Sequence, residues 1–161
     1  MPGFMTWLEA STLGHFMRES GPWTYAIVNL VHILGIASLF GAILVIDLRL
    51  LGVWRRVPLP PLADTAPTVA ACGLAIALVS GTGLLATKAT EYVGNPFIYI
   101  KFPAIALGIL NAIAVRRSVA WRERSSRALT PAETRRLAWM AGLSLASWLT
   151  AIAAGRLIAY W

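Results

Sequence analysis

Four stretches of this chain, at about 23–51, 65–87, 96–115 and 131–160, are each long and apolar enough to cross a bilayer as a helix. A spanning helix needs roughly 20 mostly apolar residues at a rise of about 1.5 Å each. Only 13% of the 161 residues are charged and 58% are hydrophobic. A soluble domain carries about 25% charged residues, so water cannot solvate the faces of such helices. The expected fold is all-α: an integral membrane four-helix bundle, read as one domain over 1–161. An N-terminal amphipathic helix at about 4–19 is expected to lie in the interface. There Phe4, Trp7, Leu8, Leu13, Phe16 and Met17 alternate with polar residues.

Punctuation residues set the helix ends. Gly21-Pro22 breaks the chain before the first span, and Pro58, Pro60 and Pro61 keep the second from starting early. Asn95-Pro96 reads as a cap followed by proline at the first helical position. Thr130-Pro131-Ala132-Glu133 reads as a capping box. Residues 1–20 show no basic n-region, so no cleavable signal is expected.

The basic residues give the orientation. Arg49, Arg55 and Arg56 follow the first span; Arg116, Arg117, Arg122, Arg124, Arg127, Arg135 and Arg136 surround the third connection. These are ten of the 14 Lys and Arg, and short basic loops stay in the cytoplasm. The chain is therefore expected in a bacterial inner membrane with both termini periplasmic. The charge of +7 is accounted for by orientation and anionic lipid, with no nucleic-acid partner. Trp23, Tyr25, Tyr92, Phe97, Tyr99, Tyr160 and Trp161 form an outer aromatic belt, and Trp54, Trp121 and Trp139 an inner one. Cys72, inside an apolar run, reads as a small residue facing a neighbouring helix.

Polar groups at membrane depth are costly, so each needs a reason. Asn29, His32, Ile36, Phe40, Ile43 and Asp47 recur at spacings of three and four and share one helix face. His32 is either a neutral histidine bonded to a carbonyl or serine, or a ligand to haem, copper or a proton. Lys88, Lys101 and Arg156, with His32 and His15, all fall in the outer half, where the positive-inside rule disfavours cations. This reads as a site for an anionic or redox ligand. A b-type haem would take an axial bond from His32, with His15 as the second imidazole, cations on its propionates, and Gly35, Gly81, Gly83, Gly108 and Gly155 admitting the macrocycle. The same glycines are ordinary helix-packing residues. A quinone would use the same site, and Asn29 lies beside it. Copper is the other metal reading, from Met1, Met5, His15 and Met17. Asp47 is expected to pair with Arg49, Arg116 or Arg135, and Asn111 to hydrogen-bond across helices. No nucleophile–base pair, HExxH, P-loop or GxSxG occurs, which points to a binding role rather than an enzyme acting alone.

The first span exits through Asp47-Leu48-Arg49-Leu50-Leu51-Gly52, and the third opens with Asn95-Pro96-Phe97 and Lys101. With His32, these segments resemble a family of small, uncharacterised bacterial inner-membrane proteins of four helices. The spacing around Phe97 departs by one residue. In architecture the chain is distantly similar to cytochrome b561-like and CopD-like membrane proteins. The expectation is a membrane redox or ligand-binding subunit that exchanges electrons with a periplasmic partner or a larger complex. Metal handling or transport, a purely structural assembly role, and homo-oligomerisation are the alternatives.

Overall fold

The computed structural model describes residues 2–161, and among them every regular element is helical. In order these are α1 (Pro2–Glu9), α2 (Thr12–Glu19), α3 (Gly21–Leu50), α4 (Leu59–Thr87), a 3₁₀ turn (Ala89–Tyr92), α5 (Pro96–Arg117), α6 (Val119–Arg122), α7 (Pro131–Leu157) and a closing 3₁₀ turn (Ile158–Tyr160). Helices α3, α4, α5 and α7 are long and apolar enough to cross a membrane. At 22 residues even the shortest, α5, is about 33 Å long.

The ends follow local chemistry. Thr130 caps α7 by accepting the Glu133 N–H at 3.2 Å, and the Glu133 carboxylate accepts the Thr130 N–H at 2.9 Å, as the capping-box spacing predicts. Helix α5 begins at Pro96, also as expected. Helix α4 starts earlier than expected, at Leu59. Pro60 and Pro61 fall in its first turn, where backbone N–H groups have no intrahelical acceptor anyway. Helix α3 ends in a Schellman turn. Gly52, at φ +101°, donates to the Arg49 carbonyl (3.2 Å), and Val53 donates to that of Leu48 (2.9 Å). That geometry explains the glycine closing the Asp47–Gly52 segment.

The N-terminal amphipathic segment is two helices, not one. Ser11 breaks it: its hydroxyl donates to the Leu8 carbonyl at 2.6 Å and accepts the Gly14 N–H at 3.3 Å, capping α2. The expected apolar stripe also divides. Leu8 and Met17 are buried, whereas Phe4, Trp7, Leu13 and Phe16 stay exposed.

The contacts divide the chain into two units. The first holds the chain up to Leu39 together with Val69–Asn95. Within it α3 and α4 touch backbone to backbone: a Cβ added to Gly35 would lie 2.8 Å from the Ala77 nitrogen, and one on Gly73 would lie 2.5 Å from that of Leu39. Cys72, beside Gly73, is exposed, so it does not face a neighbour as expected. Gly73 takes the contact position, and Cys72, the residue before it, turns outward. Met5 and Leu8 pack on Ala86 and Ala89. Above them the Glu9 carboxylate accepts both the backbone N–H and the hydroxyl of Thr90, each at 2.7 Å. Arg18 donates to the carbonyls of Glu9 (2.9 Å) and Thr87 (3.3 Å).

The second unit holds Phe40–Thr68 and Pro96–Trp161. Ile46, Ala63, Ala66 and Trp121 form an apolar core there. Trp121 is thus a core residue, not the belt residue its position suggested, whereas Trp54 and Trp139 are exposed. Asn111 donates to the Met140 carbonyl at 2.9 Å, the interhelical bond expected of it.

Two tests follow from these contacts. Thr130→Ala removes the α7 cap and should lower stability by about 1 kcal/mol, read by thermal unfolding in detergent. The Thr90 hydrogen bonds hold the Glu9 carboxyl below its ordinary pKa. Its stabilising contact is therefore complete above the usual glutamate range near pH ~4.3 and is lost as pH falls through the lowered value. Hydrogen-exchange protection of α1 should drop with acidification, and Glu9→Gln should make that protection insensitive to pH across the same range.

Candidate functional site

Helix α3 presents the face read from its spacing: Asn29, His32, Ile36 and Phe40 are half-buried, and Ile43 and Asp47 are buried. The first unit carries His15, Asn29, His32 and Lys88, and the second carries Lys101 and Arg156.

His32 is the best-defined polar site of the first unit. Its Nδ1 lies 3.1 Å from the hydroxyl oxygen of Ser80 on α4. Ser80 is itself buried, and its hydroxyl lies 2.5 Å from the carbonyl oxygen of Ile76. A carbonyl only accepts, so the single hydroxyl proton is spent on Ile76. The Ser80 oxygen must then accept from His32, which places a proton on Nδ1. In the neutral ring the lone pair consequently sits on Nε2. One turn of α4 back-bonding thus sets the tautomer of a histidine on another helix. Gly81 gives the ring its room, since a Cβ there would lie 2.8 Å from His32 Cε1.

The other candidate residues have separate engagements. His15 is exposed, with Nδ1 3.7 Å from Glu19. Helix α2 turns Gly14 and Met17 inward, and His15, one residue on from Gly14, points away from that packed face. The exposed Lys88 pairs with Glu91 at 3.0 Å, which holds its pKa above the usual lysine value. In the second unit the Lys101 side chain lies along Gly155, its Nζ 3.4 Å from where a Cβ would stand. Arg156 is exposed, donates to the Tyr160 hydroxyl at 2.6 Å and stacks on its ring at 4.9 Å.

The glycines thought to admit a macrocycle all face this chain's own atoms. Gly35 meets α4 backbone, Gly81 the His32 ring, Gly83 the Met17 sulfur, Gly108 the Trp148 indole and Gly155 the Lys101 stem. Met5 and Met17 are buried, Met17 against Gly83 and Met5 in an apolar cluster, while Met1 lies outside the described residues.

Asp47 departs from the expected ion pair. It is buried and accepts from the Ser144 hydroxyl of α7, and its Oδ2 has no hydrogen-bond partner among the described residues. The reason is helical geometry: residues two apart do not face each other, so Arg49 points elsewhere. It donates to the carbonyls of Val57 (2.7 Å) and Arg55 (3.2 Å), holding the turn after α3. Sequence reasoning missed Ser80 and Ser144, because a serine within an apolar run carries no pattern of its own.

The tautomer is directly testable. Nitrogen-15 NMR of the histidine-labelled protein should show His32 protonated at Nδ1 at neutral pH. Ser80→Ala should mix the tautomers and cost about 1–3 kcal/mol, the penalty for stranding a buried donor. An unchanged tautomer in that variant would refute the assignment.

No curated protein and no solved structure matches the chain. A family model does, over residues 4–161, and the chain therefore belongs to the family of unknown function DUF6644.

Proposed function

We propose that this chain is a multi-pass inner-membrane protein, with both termini periplasmic, whose first unit binds a lipid-soluble redox ligand through His32. Membrane insertion is supported by the four apolar helices and by the large apolar side chains they leave exposed, such as Leu30, Val79, Leu110 and Leu149. The orientation rests on the arginines of the connections after α3 and α5.

The observation that carries the ligand reading is the His32–Ser80–Ile76 chain, which fixes the orientation of an imidazole on the inward face of an apolar helix. A bonded Nδ1–H is also how ligating histidines are oriented by their outer partners. A bis-histidine haem does not fit these residues, because His15 points away from the packed face and the glycines meant for the macrocycle are occupied. A ligand held by a single imidazole needs no second histidine. A quinol is such a ligand: its ring hydroxyl hydrogen-bonds the His32 imidazole, and its apolar ring and tail lie against α3 and α4. A periplasmic redox partner exchanges the electrons.

The purified protein should bind a short-chain quinol analogue, and His32→Ala should weaken that binding about tenfold, the worth of one hydrogen bond of about 1.4 kcal/mol. Its oxidised and dithionite-reduced spectra should lack a Soret band. A Soret band lost in His32→Ala would replace the quinol by haem. Equal binding by the wild type and His32→Ala would leave His32 as a residue that fixes helix register, the role its Ser80 bond fulfils by itself.

A further inference from the structure

The second unit contains a cavity of about 300 Å³ that the His32 site does not involve. Its lining combines three guanidinium groups, Arg49, Arg124 and Arg127, with leucines that include Leu50, Leu59 and Leu129. The charges are not equally compensated. Arg124 is paired with Asp64 and stacks on Trp121, 4.9 Å from the ring centroid. Arg127 is held by Glu123 (2.7 Å) and Glu133 (2.6 Å). Arg49 has no carboxylate partner among the described residues; it reaches only the loop carbonyls of Val57 and Arg55. The surrounding sequence has the same bias. Segments 49–68 and 116–136 hold ten arginines against Asp64, Glu123 and Glu133, which is the whole +7 of the chain.

We infer that this cavity binds the phosphate of an anionic phospholipid. A half-buried guanidinium without a counter-charge, in a cavity that is part arginine and part leucine, suits a phosphodiester joined to acyl chains. The guanidinium fork matches phosphate oxygens, and the leucines take the first methylenes. The cavity lies where α3 exits and α4 and α7 begin, at the ends of apolar helices, which is headgroup depth if those helices span the bilayer. The inference rests on that membrane reading. An isolated phosphate ion has the same charge chemistry but gains nothing from the leucines.

The test is native mass spectrometry of the full-length protein released from detergent, with phosphatidylglycerol and phosphatidylcholine of identical acyl chains. Phosphatidylglycerol should bind preferentially, and Arg49→Gln should weaken it about tenfold, the loss of a charge-assisted pair. Arg135→Gln, an exposed residue outside the lining, should leave the preference in place. Millimolar inorganic phosphate should not displace the lipid. Should Arg49→Gln fail to fold, Arg49→Lys, which keeps the charge but not the fork, should retain the preference at lower occupancy. No headgroup preference in the wild type overturns the inference, as does an equal loss in Arg135→Gln, which would mean a diffuse field. Displacement by free phosphate overturns the lipid assignment. Carbonate extraction of membranes separates the two claims: a chain washed off fails the membrane reading, whereas an inserted chain without headgroup preference fails only the site.

Discussion

The close approach of α3 and α4 at Gly35 and Gly73 is the contact on which the first unit depends. There is no room for a Cβ at either position, so the two helices meet backbone to backbone. Dispersion contacts between backbones at small residues hold such an approach together. That approach brings α4 near enough for the Ser80 hydroxyl to reach His32, with His32 about one turn from Gly35 and Ser80 about two turns from Gly73. Gly81 then receives the imidazole edge. In the second unit the same principle appears with a large partner: Gly108 of α5 lies under the Trp148 indole of α7.

Polar side chains are few in these helices, and hydroxyl groups act as their intermediaries. Ser80, Thr82, Thr87 and Ser147 each donate to the carbonyl four residues back on their own helix. Such a hydroxyl has spent its proton and can only accept from elsewhere. For Ser80 this converts a local bond into control of a histidine tautomer. For Asp47 the relation is reversed, because the Ser144 hydroxyl donates to the carboxylate. Asp47 Oδ2 and Trp148 Nε1 are the two buried polar atoms of α3 and α7 left without a partner among the described residues.

The arginine-rich end of the second unit is organised rather than merely charged. Arg127 joins two carboxylates and the α7 cap, Arg124 covers Trp121, and Arg49 ties the turn after α3. Interactions among exposed charges are individually weak, but here they fix loops that also enclose an amphiphilic cavity. Orientation in a membrane and recognition of its lipid would then use the same residues.

The four long helices, the capping box at Thr130, the shared face from Asn29 to Asp47 and the role of Asn111 were legible in the sequence, because each depends on spacing within one helix or on local hydrogen bonding. The same local reading left the choice between a structural and a ligating His32 open. It paired Asp47 with arginine and left the glycines between helix packing and a macrocycle. The tertiary structure supplies Ser80 as a partner of His32 and Ser144 as the partner of Asp47, and it sets neighbouring side chains or backbone against the glycines. The physical reason is that periodicity shows which face of a helix turns inward, whereas a hydrogen bond depends on which atom of another helix lies opposite, at distances set by contacts as small as an absent Cβ.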